Sequence, residues 1–177
     1  MSSSHTPTLS IIIPALNEAR CIGATLDAIS QLSGRVEMIV VDGGSDDDTR
    51  EISSARGAKV ITSGRGRGMQ MHRGACVAQG SVLWFLHADT IVPGDSIDLI
   101  VEALRDTQVV AGNFEVQFEG PGGAARFMTW LYPQLRGLGL SYGDSAIFVR
   151  REAYSLTGGF KSLPIFEDLD LLRALRR

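Results

Sequence analysis

Cysteine is scarce in this sequence: Cys21 and Cys76 are the only two in 177 residues, and they stand at no metal or redox spacing. This excludes a disulfide scaffold and a thiolate metal finger, and it makes a reduced, cytosolic setting the simpler expectation. Long apolar runs are also missing, since none approaches the roughly 20 residues of a membrane-spanning helix. The segment from Met1 to Pro7 is polar, carries no Lys or Arg and precedes an apolar stretch that breaks at Pro14, so residues 1–8 read as a flexible tail and not as a signal peptide. Excess positive charge is absent too. A net charge of -3 and a pI near 5.6 argue against a nucleic-acid surface, so any bound anion has to be held by local groups.

What is present is ordinary for a globular chain. With 44% hydrophobic and 21% charged residues and no internal repeat, the length fits a single domain that buries a core without disulfides. The most informative stretch runs from Ser81 to Thr90, an apolar run that ends at His87 and Asp89. So short a run of large apolar side chains reads as a strand buried on both faces. Polar groups at the C-terminal ends of such strands are where open α/β sheets bind ligands. A lone Asp before Pro93-Gly94 also suits a turn or helix cap.

Two earlier strands end in the same way. Leu9 to Ile13 is a β-branched run cut off by Pro14, after which Asn17-Glu18-Ala19 opens a helical pattern with Ile22, Leu26 and Ile29 on one face. Glu37 to Val41 forms the second strand and ends in Asp42-Gly43-Gly44-Ser45, where Asp42 sits at the tip and offers acceptors to a base or ribose. Asp46 to Asp48 suit the cap of a helix running to about Arg56.

Ala58 to Thr62 makes a third strand. Gly64-Arg65-Gly66-Arg67-Gly68 is either a solvated loop or, because a helix from Met69 to Gln79 follows, a phosphate site at a positive helix start. This βα alternation predicts a mostly parallel, helix-covered sheet. Further on, Asp95 or Ser96 caps a helix with Ile97, Ile100, Val101 and Leu104 as its core stripe. Val109 to Glu119 alternates like a strand, and Phe127, Trp130 and Leu131 recur at a helical spacing more typical of core than of a sugar platform. A loop through Asp144 leads into a strand ending near Val149, and the last helix carries Glu167, Asp168 and Asp170 in its first turn.

In this order the pieces resemble the family 2 glycosyltransferases, inverting enzymes of the GT-A fold, from Leu9 to Arg177. The likeness extends to a small bacterial branch found beside radical-SAM and selenium-related genes, through the segments FLHADT, YGDSAIFVRR, GGF and EDLDL. The resemblance implies a nucleotide-sugar half over about 9–95 and an acceptor half over about 96–177. It also implies a UDP- or GDP-sugar donor, an unknown acceptor, a divalent cation (Mn²⁺ or Mg²⁺) and a cytoplasmic enzyme with room for peripheral membrane contact.

Carried over residue by residue, the resemblance implies that Pro14, Ala15, Leu16, Asn17 and Glu18 border the nucleotide, that Asp42, with Gly44 beside it, contacts the base, and that Arg65, Arg67 and Gln70 help hold the nucleotide. It further implies Asp89, with His87, as the metal anchor, Asp168 as the expected catalytic base, and Glu167 and Asp144 as further substrate contacts. Two positions depart from the family pattern: His87 stands for the first acid of Asp-x-Asp, and His72 stands where an Asn is common. Rival expectations are a sugar-nucleotide-binding protein with weakened catalysis and a sugar-phosphate nucleotidyltransferase. The latter carries its Gly-rich phosphate loop after the first strand, where Pro14-Ala15-Leu16-Asn17 stands here.

Overall fold

The computed structural model describes residues 9–115, 117, 123, 127, 129–131, 146–161 and 167–175, with backbone only at 167–169. Six strands, β1 (Leu9–Ala15), β2 (Val36–Asp42), β3 (Lys59–Thr62), β4 (Val82–Phe85), β5 (Ala111–Asn113) and β6 (Ile147–Arg150), form one sheet in the order β3-β2-β1-β4-β6-β5. The pairs β1–β2, β1–β4 and β2–β3 are parallel. Unlike the first four strands, β6 runs antiparallel to both β4 and β5. The expectation of a mostly parallel sheet therefore holds for β1 to β4.

Helices cover both faces. Ile11, Ile13 and Trp84 pack with Ile22, Leu26 and Ile29 of α1 (Ile22–Ser30) and Ile100 of α4 (Ser96–Ala103). On the opposite face Ile12, Val41, Leu83 and Phe85 meet Met71 and Ala75 of α3 (Arg67–Val77), Tyr154 of α5 (Arg151–Leu156) and Leu171 of α6 (Glu167–Leu175). A short α2 (Thr49–Ala55) completes the β2–β3 crossover. Because α3 lies directly on the central strands, a Cβ built at Gly74 would come within 2.4 Å of Ile12 Cγ2, so only glycine permits this approach. No helix among the described residues is long and apolar enough to cross a membrane.

Several local expectations are corrected. β1 does not stop at Pro14 but continues through Ala15, with Pro14 opposite Val41 and Ala15 opposite Asp42. Ile12 O accepts from Leu86 N on the β4 side and Ala15 O accepts from Gly43 N on the β2 side, so successive residues turn to alternate neighbours. Pro14 thus faces β4 beyond its last pair, Ile12 with Phe85, where no ladder donor is needed. The first helix begins at Ile22 and not at Asn17, whose φ of 58° lies in the left-handed region. α3 begins at Arg67, within the Gly/Arg run, and not at Met69.

On α4, Val101 is exposed, while Ile97 and Leu104 are only partly buried beside Ile100. Among the described residues the strand expected from Val109 is confined to Ala111–Asn113; Phe114 follows it, tilted against Trp84 and edge-on to Phe148. Phe127 and Trp130, expected in the core, are 56% and 63% exposed, with ring centroids 6.0 Å apart.

Candidate functional site at the sheet's C-terminal rim

Parallel register brings the ends of the first three strands to one level: Ala15 lies opposite Asp42, and Asp42 opposite Thr62. β4 runs in the same direction and releases the chain into the turn of His87 to Thr90, closed by Thr90 N donating to His87 O at 3.2 Å. Asp42 and Asp89 therefore stand on the same rim. The N-terminus of α3, reached from β3, joins them there.

The loops after β1 and β2 are fastened to each other by two similar hydroxyl bridges. Ser45 Oγ donates to Asp42 Oδ1 and accepts the N–H of Asn17 at 2.9 Å. Thr49 Oγ1 donates to Asp47 Oδ1 and accepts the N–H of Glu18 at 2.8 Å. Asp47 Oδ2 also takes the N–H of Ala19 at 3.1 Å, and Asn17 Oδ1 takes the N–H of Asp46 at 2.8 Å. These bonds satisfy the backbone donors of Asn17, Glu18 and Ala19 in the loop, and the left-handed backbone of Asn17 keeps α1 from starting there. The expected side-chain cap is not made by Asp48, the N-cap residue of α2; Asp47 instead accepts the N–H of Thr49 at 3.1 Å and anchors the neighbouring loop through Ala19. The Thr49 hydroxyl first, then the N–H groups of Ala19 and Thr49, hold the Asp47 carboxyl below the ordinary 3.8 against the effect of burial.

Asp42 departs from its expected role. It is wholly buried, and Oδ2 accepts the N–H groups of Gly44 and Ser45, each at 3.0 Å, while Oδ1 takes the Ser45 hydroxyl. A carboxylate on the first residue of a tight turn satisfies the turn's own donors before it can serve a ligand. Gly44, exposed with a φ of 93°, makes that turn affordable because it has no Cβ. Gln70 is likewise turned inward. Its Nε2 donates to Ala15 O at 2.9 Å and Val41 O at 2.7 Å, tying α3 to both strand tips.

The other residues stand as follows. Pro14 and Ala15 are buried in β1, Leu16 and Glu18 are half-buried, and Asn17 is exposed. Arg65 and Arg67 are exposed at the start of α3, an 11-residue helix. Asp89 is exposed and His87 half-buried. Thr25, a residue the sequence reading passed over, holds this turn to α1 by donating its buried hydroxyl to Ala88 O at 2.7 Å.

Cys21 Sγ donates to Glu18 Oε2 at 3.3 Å. Its thiol is pushed above 9.0 by burial, then by the Glu18 bond and the charges of Glu18 and Asp89, opposed by Arg20. The charge of Asp89 thus reaches the start of α1. The only advance signal for these helpers was the Asp-x-x-Ser at 42–45 and Asp-x-Thr at 47–49.

Asp144 lies outside the described residues, as do the side chains of Glu167 and Asp168, whose backbone opens α6. Ala146, just after Asp144, has a φ of 44° and gives its carbonyl to Trp84 Nε1 at 3.2 Å. Among the described residues no three His, Cys, Asp or Glu side chains form a closed metal cage. An exposed carboxylate beside an imidazole instead suits an open site whose remaining ligands come from a phosphate-bearing substrate, as hard cations are commonly held.

Known proteins share this sequence and shape. Glucosyl-3-phosphoglycerate synthase of Mycolicibacterium paratuberculosis is 36% identical over 97 residues, covering 49% of this chain and 30% of the synthase. The Mycobacterium tuberculosis glucosyl-3-phosphoglycerate synthase, solved with Mn²⁺, UDP and glucosyl-3-phosphoglycerate, superposes with a TM-score of 0.63 at 24% identity, over 84% of this chain and 58% of that one. A Pyrobaculum calidifontis mannosyltransferase solved with GDP-mannose and Mn²⁺ gives a TM-score of 0.69 at 19% identity, over 94% of this chain and 51% of that one. The chain thus spans less than a third of that curated relative and just over half of the two solved proteins. The fold is that of the GT-A glycosyltransferases. The profile of glycosyl transferase family 2 matches residues 10–156, and the chain belongs to that family.

Proposed function

We propose that this chain is an inverting glycosyltransferase that moves a sugar from a UDP- or GDP-sugar to an acceptor hydroxyl with a divalent cation. The observation that supports this most is the single rim shared by the clasped β1 and β2 loops, the arginine-bearing start of α3 and the exposed Asp89. The Mn²⁺ with UDP or with GDP-mannose in the two solved relatives supports the cation and the donor class.

In this reading the nucleoside rests against the Pro14–Glu18 loop and Gly44, while Asp42 shapes that surface from beneath. Arg65, Arg67 and the positive end of α3's dipole attract the diphosphate. Asp89, with His87, holds Mn²⁺ or Mg²⁺ at the diphosphate. When bound, that cation neutralises the charge that builds on the departing diphosphate. Asp168 takes the proton of the attacking hydroxyl, with Glu167 and Asp144 as acceptor contacts, and in-line attack inverts the anomeric centre. By its motifs the chain sits in the small bacterial branch named above, acting in the cytoplasm. A second reading, a donor-binding protein with weakened catalysis, draws on the imidazole of His87 at the first Asp-x-Asp position.

The test is a panel of sugar nucleotides with and without Mn²⁺, read by thermal unfolding and by release of nucleoside diphosphate. The expected result is Mn²⁺-dependent stabilisation by sugar nucleotides of one base, of about 2.7 kcal/mol at a hundredfold excess over Kd, accompanied by diphosphate release. Stabilisation without release selects the second reading, and no stabilisation by any donor overturns both.

A further inference from the structure

The Gly158-Gly159-Phe160 turn is one of the segments that carry the family resemblance, yet none of the roles assigned above uses it. Phe160 is buried and meets Phe85, the last residue of β4, edge-on with ring centroids 4.8 Å apart. Tyr154 of α5 completes the group, its centroid 5.6 Å from Phe85 and 6.0 Å from Phe160. The Tyr154 hydroxyl also holds the turn: it accepts the N–H of Phe160 at 3.1 Å and lies 3.1 Å from His72 Nδ1 on α3. A Cβ built on Gly159 would come within 2.6 Å of Tyr154 Cζ, so glycine is what lets the turn press on this ring. Lys161, the next residue, therefore leaves from a rigid base.

α6 is seated on the same cluster. Leu171, 1% exposed, belongs to it, and Leu175, one turn later, is partly buried against it. Both anchors come after the first turn of the helix, which carries Asp168, and a helix end frays where nothing holds it. Asp170 supplies the hold: Lys161 Nζ meets its Oδ2 at 2.9 Å. Phe85 lies shortly before the turn that bears Asp89, and Asp170 shortly after Asp168. Residues 160 and 161 thus touch the element leading to the metal anchor and the helix bearing the base.

We infer that Lys161 is a positioning residue for the reaction: held by Phe160 against the end of β4, it fixes through Asp170 the place of Asp168 relative to Asp89. This rests on the reading of Asp168 as the base. The side chains of Lys161 and Asp170 are 62% and 33% exposed, so the pair adds little to global stability. Its effect falls on turnover, because a general base works only within hydrogen-bond reach of the proton it takes.

The experiment follows nucleoside diphosphate release by the full chain with Mn²⁺, separating kcat from donor KM. The variants are Lys161→Met, Asp170→Asn, the two combined, and Lys161→Asp combined with Asp170→Lys, with Asp168→Asn as the control. Each single variant is expected to lower kcat by about two- to fivefold, the range of an exposed ion pair, at unchanged donor KM. The combined neutral variant loses no more than either single one, and the charge-exchanged variant recovers toward the parent. Backbone amide exchange at Leu171 and Leu172, whose helical acceptors are the carbonyls of residues 167 and 168, quickens in the single variants and returns in the exchanged one.

Unchanged kcat in both single variants beside an inactive Asp168→Asn overturns the inference and leaves Asp168 as the base. Turnover retained by Asp168→Asn overturns the base reading and this inference with it. Losses that add in the combined variant and are not recovered by charge exchange also overturn it. If the parent releases no diphosphate, amide exchange decides, and equal rates in the parent and both single variants overturn the inference.

Discussion

The N–H of Asn17 meets the hydroxyl of Ser45 at 2.9 Å, and that same hydroxyl donates onward to the buried Asp42. One oxygen thereby joins the loops after two strands and neutralises part of the demand of an enclosed carboxylate. Ser45→Ala removes both links and leaves Asp42 short of a donor. The expected loss is about 1–3 kcal/mol of stability, read from the shift in urea midpoint at unchanged slope. An unaltered midpoint would show that Asp42 is satisfied without the hydroxyl.

Asp89 and Asp168 are expected to fail in different ways. Asp89→Ala should abolish the Mn²⁺-dependent part of donor binding in calorimetry while leaving the unfolding midpoint near its original value, since the side chain is exposed. Asp168→Asn should bind donor normally and lose about 10²–10⁴-fold in transfer. Retained turnover in the second variant removes it as the base.

Thr25 is a positioning residue acting through Ala88. Thr25→Val keeps the shape but loses the 2.7 Å bond to Ala88 O, so the turn carrying Asp89 loosens from α1. We expect about 1 kcal/mol less stability and weaker Mn²⁺-dependent donor binding, with metal-free nucleotide binding unchanged. Thr25→Ser, which keeps the hydroxyl, should restore the metal dependence; failure of Ser to rescue would indicate a packing role only.

Asp47 gives the clasp a pH limit. Its folded carboxyl is held below 3.8, chiefly by the Thr49 hydroxyl, so its stabilisation is fully present above the unfolded value and is lost as pH falls through the lower folded value. The unfolding midpoints of the parent and Asp47→Ala should differ by a constant amount from neutral pH down to about pH 5 and converge below about pH 4. A gap that persists at low pH, or that narrows toward alkaline pH, would remove Asp47 as its source.

How far the site could be read in advance differs residue by residue. The placement of Asp89 in the turn after β4 and of the arginines flanking Gly66 at the start of α3 was legible because local order is enough: an apolar run ending in an acid, and a Gly/Arg run entering a helix. Asp42 was located at the right tip, but its inward turn depends on a Ser three residues later. Gln70 was placed beside the nucleotide, whereas the structure spends its amide on Ala15 O and Val41 O, the first of them 55 positions away in sequence. Pro14 was taken as a strand end because a single chain does not reveal where its neighbour stops pairing.

The sequence by itself determined the alternation of strands and helices, the helix face that buries Ile22, Leu26 and Ile29, and the rim on which polar residues gather, because periodicity and turn chemistry act over a few residues at a time. Only the tertiary structure decided the antiparallel edge of β6 and β5, the Asn17–Ser45 and Glu18–Thr49 bridges, and the meeting of His72 with Tyr154. Those choices join groups tens of positions apart. A buried donor or acceptor takes whichever partner packing brings within reach, and no local pattern carries that information.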